Sequence, residues 1–138
     1  MKILFVKKAF TIIEVLIAIF ILEVGILGVS SFFASGFKII KNARTETIAT
    51  NLGSGLLDET LANSFDNIPV GTVARQKYSP NLGDPFYNYD KQIDTTYIDE
   101  YLNNSVTPTP MKKIVVTIYW TIGNQSKTFQ IATIKASH

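Results

Sequence analysis

The apolar positions of this chain fall into three patterns. Between Phe10 and Phe37 they run almost without a break on every side, over about 28 residues. As a helix rising 1.5 Å per residue this run is about 42 Å long, against the roughly 20 apolar residues that cross a bilayer core. From Lys38 the pattern becomes amphipathic. Ile48, Leu52 and Leu56 continue a slowly drifting stripe from Phe33, Phe37 and Ile40, and Leu57, Leu61 and Phe65 form a second ridge at four-residue spacing. Gly53-Ser54-Gly55 lies between the two ridges and is expected to bend the helix or end its regular part. Asn67, Pro69 and Gly71 then stop it.

The third pattern is strict alternation near the C-terminus. Ile114, Val116, Ile118, Trp120 and Ile122 alternate with Val115, Thr117, Tyr119 and Thr121, and Gly123-Asn124-Gln125-Ser126 turns the chain. This predicts a β-hairpin whose return strand, residues 127–135, places Phe129 and Ile131 beside Trp120 against the amphipathic helix. Residues 73–110 are less regular. A strand over 73–78, a turn through Pro80-Asn81-Leu82-Gly83-Asp84-Pro85 and a Tyr-rich stretch over 86–98 imply short strands and loops. A lone hairpin is too small to be stable, so this middle segment must supply further strands. The predicted fold class is α+β: a long N-terminal helix, half membrane-spanning and half amphipathic, packed by a small antiparallel β-sheet.

Residues that interrupt the apolar run carry the functional signal. Glu14 and Glu23 lie inside it, where an ionised carboxylate costs a few kcal/mol and requires a partner or a proton. The chain start is basic, with Lys2, Lys7 and Lys8, and the apolar run begins beyond them. A secretory leader has a shorter apolar core followed by small residues at a cleavage site, so this apolar segment reads as retained. The stretch Lys8-Ala9-Phe10-Thr11-Ile12-Ile13-Glu14 resembles the start of precursors in the type IV pilin superfamily, which join a short basic leader to a Phe-Thr-Leu-Ile-Glu-like helix start. The resemblance implies cleavage between Ala9 and Phe10 by a prepilin peptidase, N-methylation of the new Phe10 amine, and an assembly role for Glu14, the fifth residue of the mature chain. Ala9 departs from the Gly usual before the cut. In an assembled filament, Glu14 would pair with the Phe10 amine of a neighbouring subunit, and a misplaced partner would leave a buried charge uncompensated at several kcal/mol. The alternative for Glu14 is a protonated acid hydrogen-bonded within the bilayer. Glu23, nine residues on and half a turn round the helix, is read as a neutral or locally paired acid in preference to an assembly residue.

Within the run, Gly25 and Gly28, with Ser30, Ser31, Ser35 and Gly36, allow close helix approach and weaken the helix. No proline occurs between Phe10 and Phe37, whereas major pilins of the superfamily typically carry one. That absence, with Ile21-Leu22-Glu23-Val24-Gly25-Ile26-Leu27-Gly28-Val29, resembles minor pilins of the PilV type and minor pseudopilins of type II secretion. Three segments follow: a prepilin leader at 1–9, a transmembrane and assembly half at 10–37, and a pilin-like ectodomain at 38–138.

Composition narrows the classes. The formal charge of +2 falls away with the leader, since 13 Lys and Arg lose Lys2, Lys7 and Lys8 to leave 10 against 11 Asp and Glu. No basic stripe offers itself to nucleic acid. With no cysteine there is no disulfide, thiolate metal site or Cys nucleophile, and the single histidine is His138. With no Gly-rich phosphate loop and no spaced acid pair, an enzyme is disfavoured and no cofactor is expected. Asp84, Asp90, Asp94, Asp99 and Glu100 lack calcium-loop spacing and are read as solvated acids. Tyr78, Tyr87, Tyr89, Tyr97 and Tyr101 form either an interaction face or ordinary half-buried packing. The leader lysines orient the chain with residues 1–9 cytoplasmic and the C-terminal domain extracytoplasmic, while Lys38, Lys41 and Arg44 snorkel at the outer interface.

The expected function is a minor pilin-type structural subunit of a type IV pilus or pseudopilus, acting at initiation or in a tip complex. Its expected partners are other major and minor pilins, the prepilin peptidase, an inner-membrane assembly platform, and membrane lipid before assembly. The alternative is a membrane-anchored extracytoplasmic binding module that never polymerises.

Overall fold

The computed structural model describes residues 10–137. The leader and Ala9 of the expected cleavage pair lie outside the described residues, as does His138. The chain divides into two compact units at Lys41 and Asn42, and helix α1, Ile12–Ala62, contributes to both. Gly53-Ser54-Gly55 does not end α1, which runs through it unbroken. The physical reason is packing: a Cβ added at Gly53 would lie 2.9 Å from Phe129 Cε1 and 3.4 Å from Ile118 Cγ1, so the missing side chain lets the sheet approach the helix.

In the second unit, residues 42–137, five strands follow the helix: β1 (Gly71–Lys77), β2 (Asp90–Ile98), β3 (Asn104–Ser105), β4 (Met111–Ile122) and β5 (Gln125–Ala136). They form one antiparallel sheet in the order β1-β2-β4-β5, with β3 paired to β2. The helix stripe Ala49, Leu52, Leu56 and Leu57 meets the inner row of β4, Ile114, Val116, Ile118 and Trp120, with Ile68 and Tyr89 closing the core. The two helix ridges thus serve one sheet-facing surface. Val116 pairs with Ile131 and Ile118 with Phe129, which places both β5 residues beside the core as alternation predicted. The turn of this hairpin is two residues, Gly123-Asn124, with φ of +59° at Gly123, the first-position glycine of a type II′ turn.

Helix α1 ends at Ala62, ahead of the predicted stop, because its last carbonyls find side-chain donors. The Asn63 side-chain amide donates to the Glu59 and Thr60 carbonyls, and Lys135 Nζ donates to those of Leu61, at 2.6 Å, and Asn63. A 3₁₀ turn, Phe65–Asn67, follows. Its carbonyls are met by Lys112, only 3% exposed, whose Nζ donates to Phe65 O at 2.7 Å and Ile68 O at 2.8 Å and lies 4.3 Å from the centre of the Phe65 ring. A lysine in the apolar row of β4 is tolerated because two carbonyls and an aromatic face satisfy its ammonium.

Candidate assembly site

In the first unit, residues 10–41, Thr11 starts the helix. Its Oγ1 accepts the Glu14 N–H at 3.3 Å, and its carbonyl accepts the N–H groups of Glu14 at 3.1 Å and Val15 at 3.3 Å. Thr11 is therefore the N-cap and Glu14 sits at the third helical position, the Thr-x-x-Glu spacing of a capping box, with its carboxylate at the positive end of the helix dipole. The cap and the expected cleavage motif share the same residues, and the Thr11 to Glu14 spacing is the local signal for the cap.

Phe10 and Glu14 lie on one side of the helix and, with Val15, Ala18, Ile19 and Leu22, line an open and almost wholly apolar groove. Glu23 is not among its lining residues. A second shallow groove, formed by Ile21, Leu22, Gly25, Ile26, Val29 and Ser30, has Gly25 as its notch, and a Cβ at Gly25 or Gly28 would meet nothing within 4 Å. The side chain of Ser30 is satisfied inside the helix, donating to the Ile26 carbonyl at 2.8 Å.

Every residue from Phe10 to Ser35 is exposed, Phe10 by 79% and Phe32 by 75%, and α1 is long and apolar enough to cross a membrane. No basic residue occurs between Phe10 and Phe37. Among the described residues the ion pairs are those of Arg75 and Lys77 with Asp90, and neither includes Glu14. Chemically the site offers one carboxylate in an apolar surface, able to take up a proton or to pair with a cation brought by another molecule.

The other candidates distribute differently. Asp84 and Asp99 cap loop N–H groups, those of Phe86 at 2.7 Å and of Tyr101 and Asn103 at 2.9 and 2.8 Å. Asp94 accepts from Gln92. Asp90 is held by Arg75 at 2.7 Å and Lys77 at 3.0 Å; burial alone would raise its pKa, and the bonds from the two cations outweigh it and hold the carboxyl below its ordinary 3.8. Among the described residues no three His, Cys, Asp or Glu side chains gather as a metal site.

The tyrosines differ in exposure and partners. Tyr89 is buried, donates its hydroxyl to Thr45 O at 3.2 Å, and has its pKa raised by that burial against a smaller opposing effect of Arg44. Tyr78 stacks edge-on with Phe86, Tyr97 lies over Lys112, and Tyr101 stands in solvent.

Compared with protein-family models, with curated proteins and with solved structures, the chain matches none of them. What the fold defines is the broad class: an α+β chain with a long N-terminal apolar helix and an antiparallel sheet, pilin-like in its elements.

Proposed function

We propose that this chain is a minor pilin-type structural subunit of a type IV pilus or pseudopilus. The observation that carries the reading is the helix surface from Phe10 to Ser35, predominantly apolar and exposed on every side, with the Glu14 carboxylate one turn from Phe10. Such a surface requires lipid before assembly and other helices afterwards. On this reading a prepilin peptidase cuts between Ala9 and Phe10, the Phe10 amine is methylated, and the chain sits in the inner membrane with residues 42–137 extracytoplasmic. Glu14 then pairs with the Phe10 amine of the adjacent subunit, and the pair sets the axial register of the helices. The absence of a helix-melting proline between Phe10 and Phe37 supports a role at initiation or in a tip complex, with other major and minor pilins and the assembly platform as partners.

The test joins two measurements on one strain. Intact mass of the membrane-extracted protein is expected to begin at a methylated Phe10. Glu14→Gln is expected to insert normally and to lose most of its incorporation into sheared filaments. A chain beginning at Met1 together with undiminished incorporation of Glu14→Gln would overturn the proposal.

A further inference from the structure

The sheet ends in two free edges that differ in kind. On β1 the register with β2 shifts between Val73 and Gln76, and the shift and its flank hold Arg75 and Lys77, both tied to Asp90. A bulge and cations are devices that blunt an edge against its own kind. On β5 there is no such shift, and its two cations, Lys127 and Lys135, sit at positions whose main chain is bonded to β4. Twelve successive residues pair with β4 without a shift, and the strand contains no proline. The two-residue turn makes Ile122 and Gln125 the closing hydrogen-bonded pair, so alternate residues turn their main-chain N–H and C=O away from β4. These are Ser126, Thr128, Gln130, Ala132, Ile134 and Ala136, all exposed and all uncharged. The nearby cation Lys135 is engaged with the carbonyls at the end of α1.

Strand direction selects what this edge accepts. Each neighbouring pair in the order β1-β2-β4-β5 is antiparallel, so β1 and β5 run in opposite directions. Two copies held in the same orientation therefore present β5 of one and β1 of the other as an antiparallel pair, extending the sheet with its own geometry. Pairing β5 with β5 in antiparallel fashion requires a two-fold axis normal to the sheet, which would turn one copy's segment 42–62 over. Pairing β1 with β1 sets Arg75 and Lys77 of each copy against the other. The heterologous pair β5·β1′ avoids both, and it leaves one β1 and one β5 edge of the two copies unpaired.

We infer that β5 is a strand-accepting edge that receives β1 of a second, co-oriented copy of this chain. The inference rests on the proposed filament reading for the shared orientation, and it adds a contact between the sheets to that between the helices. Without axial stagger, the ladder through Thr72, Asp94, Val115 and Ala132 places Thr72 of one copy opposite Ala132 of the next. Lys77 then meets Thr128, an uncharged neighbour.

The chain has no cysteine, which makes disulfide trapping unambiguous. Thr72→Cys is combined in the full-length protein with one β5 cysteine at a time, at Ser126, Thr128, Gln130, Ala132 or Ile134, so that a stagger between copies is covered in steps of about 7 Å. Membranes and sheared filaments are oxidised separately. The expected result is a cross-linked dimer at one or two adjacent β5 positions and no product from either single-cysteine variant. Adding Thr128→Pro, whose lost N–H faces away from β4, is expected to reduce the trapped product at least about tenfold while Trp120 emission stays unchanged. Should Thr128→Pro shift that emission, Thr128→Lys replaces it with the same expectation.

Dimers from a single β5 cysteine, trapping undiminished by the β5 variant, or no trapping at any position with the chain present in filaments would each overturn the inference and leave the filament reading standing. No trapping with the chain also absent from filaments would overturn both.

Discussion

Helix α1 places two solvents on one backbone. In residues 10–35 every position is exposed and the apolar side chains point all round, whereas between Ala49 and Leu57 the buried residues form a stripe and the opposite side carries Asn51 and Asp58. The same contrast holds for glycine. Gly53 is enclosed by Phe129 and Ile118, while Gly25, Gly28 and Gly36 have open space where a side chain would be. An all-round apolar helix awaits a medium or partners outside the chain, and a striped one is already answered by its own sheet.

The largest expected effect comes from separating the halves. Residues 38–138 expressed without the anchor are expected to be soluble and cooperatively folded, and the full chain to require detergent, as size-exclusion chromatography with and without detergent would show. Aggregation of the shorter protein would break the comparison, since its apolar residues would then lack the internal partners described above.

Next is Trp120→Ala, expected to destabilise the second unit by about 3 to 5 kcal/mol through loss of a large core side chain that is 6% exposed. Urea unfolding followed by circular dichroism measures it, and a native Trp120 emission at the fully exposed wavelength would contradict the burial. The glycine pair sharpens the contrast at smaller scale. Gly53→Ala is expected to cost about 1 kcal/mol, at the low end for overpacking because the half-buried Phe129 ring has room to give. Gly28→Ala is expected to leave the Trp120-reported transition where it was, and equal shifts from both would erase the distinction.

The smallest expected effect is electrostatic. Because Asp90 is held below its ordinary 3.8 in the folded state, its contribution is present at pH above that value and is lost as pH falls through the lower folded value. Its cations are partly exposed, so Asp90→Asn is expected to remove only about 0.5 kcal/mol at neutral pH and to flatten the acid limb of the stability profile. An unchanged acid limb would show that the Arg75 and Lys77 bonds contribute nothing.

Several elements were decided by residues close together in the chain. The run from Phe10 to Phe37 needs no partner to be helical and apolar, the alternation from Ile114 to Ile122 imposes a strand with an inner and an outer row, and Gly123-Asn124 turns it. The spacing of Thr11 and Glu14 is likewise local, so the helix start and the candidate carboxylate were legible together.

The interior position of β2 was not legible. Its inner row holds Lys91, Ile93, Thr95 and Tyr97, a mixture with no clear period, and the strand is recruited by the ladders of β1 and β4 on either side. Gly53 read as a breaker until Phe129, 76 residues away in the chain, was placed over it. Lys112 and Lys135 likewise found their acceptors at Phe65, Ile68, Leu61 and Asn63, more than 40 residues distant. Local periodicity fixes which side of an element is apolar. Which glycine is crowded, which lysine is buried and which strand edge stays open depend on contacts between distant segments, and those exist only once the sheet has closed over the helix.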